Sequence, residues 1–207
     1  SCAQTQRSTQ GAMVPVESGR TLVYECGDLE FIARTGPGEI ALYLPDDYRV
    51  LGQERVASGA RYSDGDVTLW TKGNEASLEI GSRRLTSCQL NPARAPWEEA
   101  RRRGVSFRAV GQEPSWYLEI HPQRSTLFVA AYGNRRVLLP SAEAVIEGAE
   151  EVYDLTDGQH DLKVEISLQY CADIMSGQAF DNRVIVTLNG ERFDGCGSAL
   201  APWWDQT

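Results

Sequence analysis

Between Leu22 and Cys88 turn residues interrupt the chain so often that no stretch of ordinary helix length remains. Leu22, Tyr24 and Cys26 alternate with Val23 and Glu25, and runs at 31–34 and 40–44 follow, split by Thr35-Gly36-Pro37-Gly38. The run at 48–51 comes after Pro45-Asp46-Asp47, and the run at 67–70 after Ser63-Asp64-Gly65-Asp66. Ala76, Leu78 and Ile80 then alternate with Ser77 and Glu79 before Gly81-Ser82 turns the chain into 83–88. A period of two marks half-buried strands. Roughly eight strands in about 70 residues, joined by hairpin-length turns, predict a small antiparallel barrel, which leaves no sheet edge exposed.

The rest of the chain divides around that unit. Residues 1–17 read as a polar tether, and residues 18–90 as the barrel. Residues 91–104 read as a linker with a short helix. Pro96 opens it, Glu98 and Glu99 lie in its first turn, Arg101, Arg102 and Arg103 lie in its last, and Gly104 closes it. The three arginines match the helix dipole and are expected as surface. Residues 105–207 return to strand, with candidates at 107–110, 117–120, 126–132, 137–139, 163–170 and 184–188. Asn189-Gly190 is the signal of a type I′ hairpin, and the stretch 142–149 is expected as a second short helix. The fold class is therefore all-β: an eight-stranded antiparallel barrel followed by a second β-rich domain with one or two short helices.

The 207 residues carry a net charge of −9, which argues against nucleic-acid binding, since that needs a basic patch. An acidic surface suits a basic partner and equally serves solubility. Residues 18–90 hold 11 acidic and 8 basic side chains, residues 105–207 hold 15 and 7, so most of the excess lies in the second unit. No run of 18 apolar residues occurs, so no helical membrane span is expected.

Of the cysteines, Cys26 with Cys88 and Cys171 with Cys196 form natural pairs by position, each bracketing one β-rich segment. Four cysteines allow three pairings, and spacing does not choose among them. No CxxC or zinc spacing occurs, and the imidazoles are limited to His121 and His160, so disulfides and an oxidising compartment are expected rather than metal. Cys2 follows Ser1 and precedes a polar stretch. That start is similar to the end of a bacterial lipoprotein signal, which implies acylation of Cys2, membrane attachment and a place in the cell envelope, at the outer membrane facing the periplasm.

Two segments of the first unit carry a likeness to a known family. Ser58-Gly59-Ala60-Arg61-Tyr62 is followed by Trp70-Thr71-Lys72-Gly73-Asn74-Glu75-Ala76, with Tyr24-Glu25-Cys26 upstream and Cys88 downstream. In this order they resemble the inhibitors of c-type lysozyme known as MliC, over about a third of the chain. The resemblance implies a small barrel with one disulfide across it. It also implies a lysozyme-binding surface of Ser58, Gly59, Arg61, Tyr62, Lys72 and Gly73, with c-type lysozyme as the protein partner and no cofactor. Lysozyme cleaves its glycan with one neutral and one ionised carboxyl. A serine hydroxyl and a lysine ammonium are donors for such groups, and Gly59 and Gly73 allow the tight turns that would present them. Tyr62 and Trp70 are also expected as core or barrel-rim aromatics.

The second unit holds Gly111-Gln112-Glu113-Pro114-Ser115-Trp116, the stretch from Cys171 to Gly177, and Gly195-Cys196-Gly197. These look like an uncharacterised family of bacterial envelope lipoprotein domains, which implies secretion and no activity. Trp116 is expected to fill a core and Asp173 to cap a turn inside the disulfide loop. Ser176 lacks a GxSxG elbow, and Asp173, His121 and His160 lie in unrelated segments, so no enzyme is expected. Trp203-Trp204 is expected as a packed tail. The competing reading is an envelope binding or scaffold module without inhibition.

Overall fold

The computed structural model describes residues 19–173 and 176–201. The 1–17 tether with Cys2, and the Trp203-Trp204 tail, lie outside them. The chain divides into two compact units, Ser1–Pro92 and Ala93–Thr207.

In the first unit eight strands close into a barrel in chain order: β1 (Thr21–Cys26), β2 (Leu29–Gly36), β3 (Glu39–Leu44), β4 (Asp47–Glu54), β5 (Ala60–Ser63), β6 (Val67–Lys72), β7 (Glu75–Ile80) and β8 (Arg83–Leu90). All neighbours are antiparallel, and β1 meets β8 through Tyr24↔Leu90 and Glu25↔Gln89. The period-two pattern decides which side chains enter. Phe31 and Ala33, Ile40 and Leu42, Val67 and Leu69, and Ala76 and Leu78 are buried while their neighbours face outward. Tyr24 and its register partner Phe31 stack with centroids 5.4 Å apart. Cys26 of β1 is bridged to Cys88 of β8.

The second unit opens with α1 (Ala95–Arg102), which carries Pro96 in its first turn and is followed by Gly104 at φ 82°. Residues 91–104 were expected as a linker, and Trp97 of α1 packs with Phe180 and Cys196 of the second unit. Glu98 is buried and bridged by Arg94 at 2.9 Å and Arg101 at 2.8 Å, while Arg102 pairs with Glu99. Arg101 and Arg102 are thus engaged in ion pairs along their own helix, while Arg103, at its C-terminal cap, pairs with Glu119 at 2.7 Å.

Nine strands follow: β9 (Phe107–Gln112), β10 (Ser115–His121), β11 (Ser125–Ala130), β12 (Arg135–Pro140), β13 (Val145–Glu147), β14 (Glu150–Thr156), β15 (Asp161–Ala172), β16 (Ala179–Leu188) and β17 (Glu191–Ala199). They form one curled antiparallel sheet in the order β12-β11-β10-β9-β17-β16-β15-β14-β13. Its core joins Trp116, Phe128, Val164, Val186 and Phe193, with Phe128 edge-on to Phe193 at 5.1 Å. Two glycines of the second-unit motifs seat Trp116. A Cβ on Gly111 would lie 2.1 Å from its Nε1, and one on Gly195 would lie 2.5 Å from its ring. Cys171 of β15 is bridged to Cys196 of β17, and Asn189-Gly190 turns with φ 48° and 84°, as a type I′ hairpin requires.

Two expectations are corrected. The stretch 142–149 is not a helix. Val145 and Glu147 pair with Val152 and Glu150, and Gly148 at φ 66° turns the hairpin. Val145 and Ile146 are adjacent β-branched residues, both exposed, so the stretch offers no helical stripe to bury and takes strand instead. The strand expected at 126–132 stops at Ala130, because Ala131 and Tyr132 adopt φ of 51° and 56° in a 3-10 turn. Strands β14 and β17 were not anticipated.

Candidate functional site

In an up-and-down barrel alternate connections emerge at the same end, so the β4–β5 loop and the β6–β7 turn share one rim. The first carries Ser58 and Gly59, and the second is the two-residue turn Gly73-Asn74 between Lys72 and Glu75. Gly73 has φ 59° and Gly59 has φ 72°. At Gly59 the positive φ coincides with a close approach: a Cβ would lie 2.3 Å from the Thr71 carbonyl oxygen. Only glycine lets the loop cross β6 at this point.

Strand β6 links the two loops. Val67 and Leu69 point into the barrel, so Trp70 and Lys72 face out. Trp70 keeps 43% of its surface exposed and stands between Arg61 of β5 and Ser77 of β7 in register. Its indole Nε1–H donates to the Ser58 carbonyl at 3.1 Å. Ser58, Trp70, Lys72, Glu75, Ala76, Ser77 and Ser87 line a shallow hollow of about 330 Å³. Ser87 enters it from a bulge, where the β7–β8 register shifts between Ala76 and Leu78 and its own φ is 62°.

The charges around the hollow are unequal. Arg61 is tied to Glu54 across the β4–β5 ladder, whereas the Lys72 ammonium and the Ser58 hydroxyl have no hydrogen-bond or ion-pair partner among the described residues. Tyr62 is half-buried and packs against the barrel core. A donor pair of this kind, one neutral and one cationic, presented beside an exposed indole, suits carboxyl groups recessed in a partner.

A family model described as the membrane-bound lysozyme-inhibitor of c-type lysozyme matches residues 24–87. The membrane-bound lysozyme inhibitor of C-type lysozyme of Yersinia enterocolitica (serotype O:8 / biotype 1B) is 37% identical over 71 residues, 33% of this chain and 61% of that protein. The protein of the same description from Escherichia coli K12 is 37% identical over 78 residues, 36% of this chain and 72% of the relative. The chain belongs to the MliC family. It spans only about three fifths of the Yersinia relative's length, and no solved structure matches it. The matched segment contains every residue that lines the hollow, from Ser58 through Lys72 to Ser87. Of the residues that line the hollow, Trp70 was expected as a core or barrel-rim aromatic, and it faces outward with 43% of its surface exposed. The signal was present, because Val67 and Leu69 as inward residues put Trp70 outward. Ser87 left none, since a bulge has no composition of its own.

The remaining candidates lie in the second unit. The Ser176 hydroxyl donates to Asp173, whose carboxylate also accepts from the Ser176 N–H at 3.1 Å and from Gln112 at 3.2 Å. Asp173 therefore caps its own turn. The ring of His121 lies 2.9 Å from the carbonyls of Pro122 and Arg103, and that of His160 lies 3.0 Å from Asp157.

Proposed function

We propose that the barrel inhibits a c-type lysozyme by placing the Ser58 hydroxyl and the Lys72 ammonium against the two carboxyl groups of the enzyme's cleft. Gly59, Arg61, Tyr62 and Gly73 shape the two loops that enter it. The observation that carries this reading is the pairing of two unpartnered donors on one rim of the barrel, around a shared hollow. Charge-assisted hydrogen bonds to carboxylates contribute on the order of 1.5–3 kcal/mol each, so two of them in a dry cleft would dominate the affinity. The relatives' descriptions as membrane-bound support a place at the cell envelope. An acyl chain on Cys2 would hold the chain there, on the outer membrane facing the periplasm. The test is a lysozyme lysis assay with the intact chain. Dose-dependent protection of the cell-wall substrate is expected. Unimpeded lysis at micromolar chain would leave the barrel as an envelope binding module without inhibition.

A further inference from the structure

We infer that Trp70 is a positioning residue of the lysozyme-facing surface: its indole N–H fixes the crest of the β4–β5 loop and so sets where the Ser58 hydroxyl stands relative to Lys72. This rests on the reading proposed above. Three observations carry it.

The bond itself runs from a side chain on β6 to a backbone carbonyl at the loop crest, 3.1 Å away. No other side chain among the described residues hydrogen-bonds to residues 55–59. A loop with few internal bonds is at the low-stability end of a structure, and a single external bond at its crest governs its position.

The packing agrees. Gly59 crosses β6 so closely that a Cβ there would lie 2.3 Å from the Thr71 carbonyl and 3.1 Å from the Trp70 Nε1. The loop is therefore pressed against the strand at the residue that holds it. An exposed indole could have turned its N–H to solvent and satisfied it there; here it serves the loop while leaving 43% of the residue uncovered.

Finally, Trp70 and Lys72 leave the same strand on the same face, two residues apart, in the most regular part of the ladder, where Trp70 has partners on both sides. One element thus carries one donor directly and anchors the other through the indole. Placing a site's supporting group on a strand holds geometry better than leaving it to the loop.

The test uses the intact chain and Trp70→Phe, which keeps an aromatic ring and removes the N–H. NMR backbone relaxation is read first, without lysozyme. Order parameters at 55–59 should fall below about 0.6 while the strands of the barrel stay near about 0.85. Unchanged order parameters in that loop would overturn the proposal. Inhibition is read second, in the parent, Trp70→Phe, Ser58→Ala and the double variant. Trp70→Phe should weaken binding about tenfold, and that loss should largely vanish once Ser58 is alanine. A loss of the same size in both backgrounds would make Trp70 a direct contact and overturn its positioning role. If the parent itself fails to inhibit, the lysozyme reading falls, and the relaxation measurement still decides whether Trp70 holds the loop.

Discussion

Cys26 and Cys88 join the first strand of the barrel to the last, with Cα atoms 4.2 Å apart and a separation of 62 positions in sequence. The bridge reinforces the β1–β8 pairing, which holds only Tyr24↔Leu90 and Glu25↔Gln89 in register. The chain-entropy account gives about 4 kcal/mol for a loop of this length. Cys26→Ser with Cys88→Ser should lower the melting transition of the barrel by well over 10 °C. The second unit has its own bridge, Cys171–Cys196, and its own core, so its transition should stay in place. Calorimetry of the intact chain separates the two.

Ser58→Ala and Lys72→Ala should each weaken lysozyme inhibition about 5- to 150-fold, since each leaves a recessed carboxyl without its donor. Both residues are exposed, so stability should change by about 0.5 kcal/mol or less. Lys72→Ala should also flatten the dependence of binding on salt, and Ser58→Ala should not. Titration calorimetry at two ionic strengths, with thermal melting as control, reads all three effects. Parent-like affinity in both variants would exclude the two-donor mechanism.

Gly59→Ala should cost more than Ser58→Ala in both stability and inhibition. The new methyl meets the Thr71 carbonyl, and φ 72° is strained for any residue with a Cβ. A cost on the order of 1–3 kcal/mol is expected, with the crest of the loop lifted from β6. Denaturant unfolding and the lysis assay measure the two consequences.

In the second unit Glu119 and Arg108 form a buried ion pair, with Arg103 on the other carboxylate oxygen at 2.7 Å. The Arg108 guanidinium also lies 4.8 Å from the Tyr117 ring centroid and 5.5 Å from that of Trp97. Glu119→Gln removes the countercharge and leaves a desolvated cation, so the second unit should lose about 3 kcal/mol. Inhibition by the barrel should be unaffected at temperatures where both units remain folded.

Asp157 caps the β14–β15 turn. Its carboxylate accepts from the His160 ring and from the N–H groups of Gln159 and His160, and these bonds, the first above all, lower its pKa to about 2. A carboxyl depressed in the folded state stabilises the turn above its ordinary value near 3.8, and that contribution fades as pH falls toward about 2. An NMR titration should find the Asp157 midpoint near 2, rising toward 3.8 in His160→Ala. A midpoint that does not move would remove the ring as the main cause.

The barrel was legible because its strands alternate cleanly and its turns are spelled in Gly, Pro and Asp. Val67 and Leu69 announce the inward face of β6, and Asn189-Gly190 announces its hairpin directly. The second sheet was harder to read. The residues of β14 carry acidic groups on their outward face, and β17 runs through Gly195 and Gly197, which have no side chain to show a period. At 142–149 alanines and glutamates suggested helix, and cross-strand pairing with β14 overrode that local preference. The donors Ser58 and Lys72 could be picked out by motif. What only coordinates revealed is that Arg61 is already neutralised by Glu54, that Ser87 reaches the hollow from a bulge, and that the Trp70 indole donates to the Ser58 carbonyl.

Because β1 pairs with β8, the barrel begins and finishes at one place. The Asn91 N–H donates to the Val23 carbonyl at 2.8 Å, so the chain leaves beside the strand by which it came in. A fold whose entry and exit are neighbours can be spliced into a host protein, or permuted to begin at another turn, with almost no loop-closure cost. The barrel is thus a portable cassette. It should transfer its rim intact to any scaffold that offers two adjacent attachment points and an oxidising environment for Cys26 and Cys88.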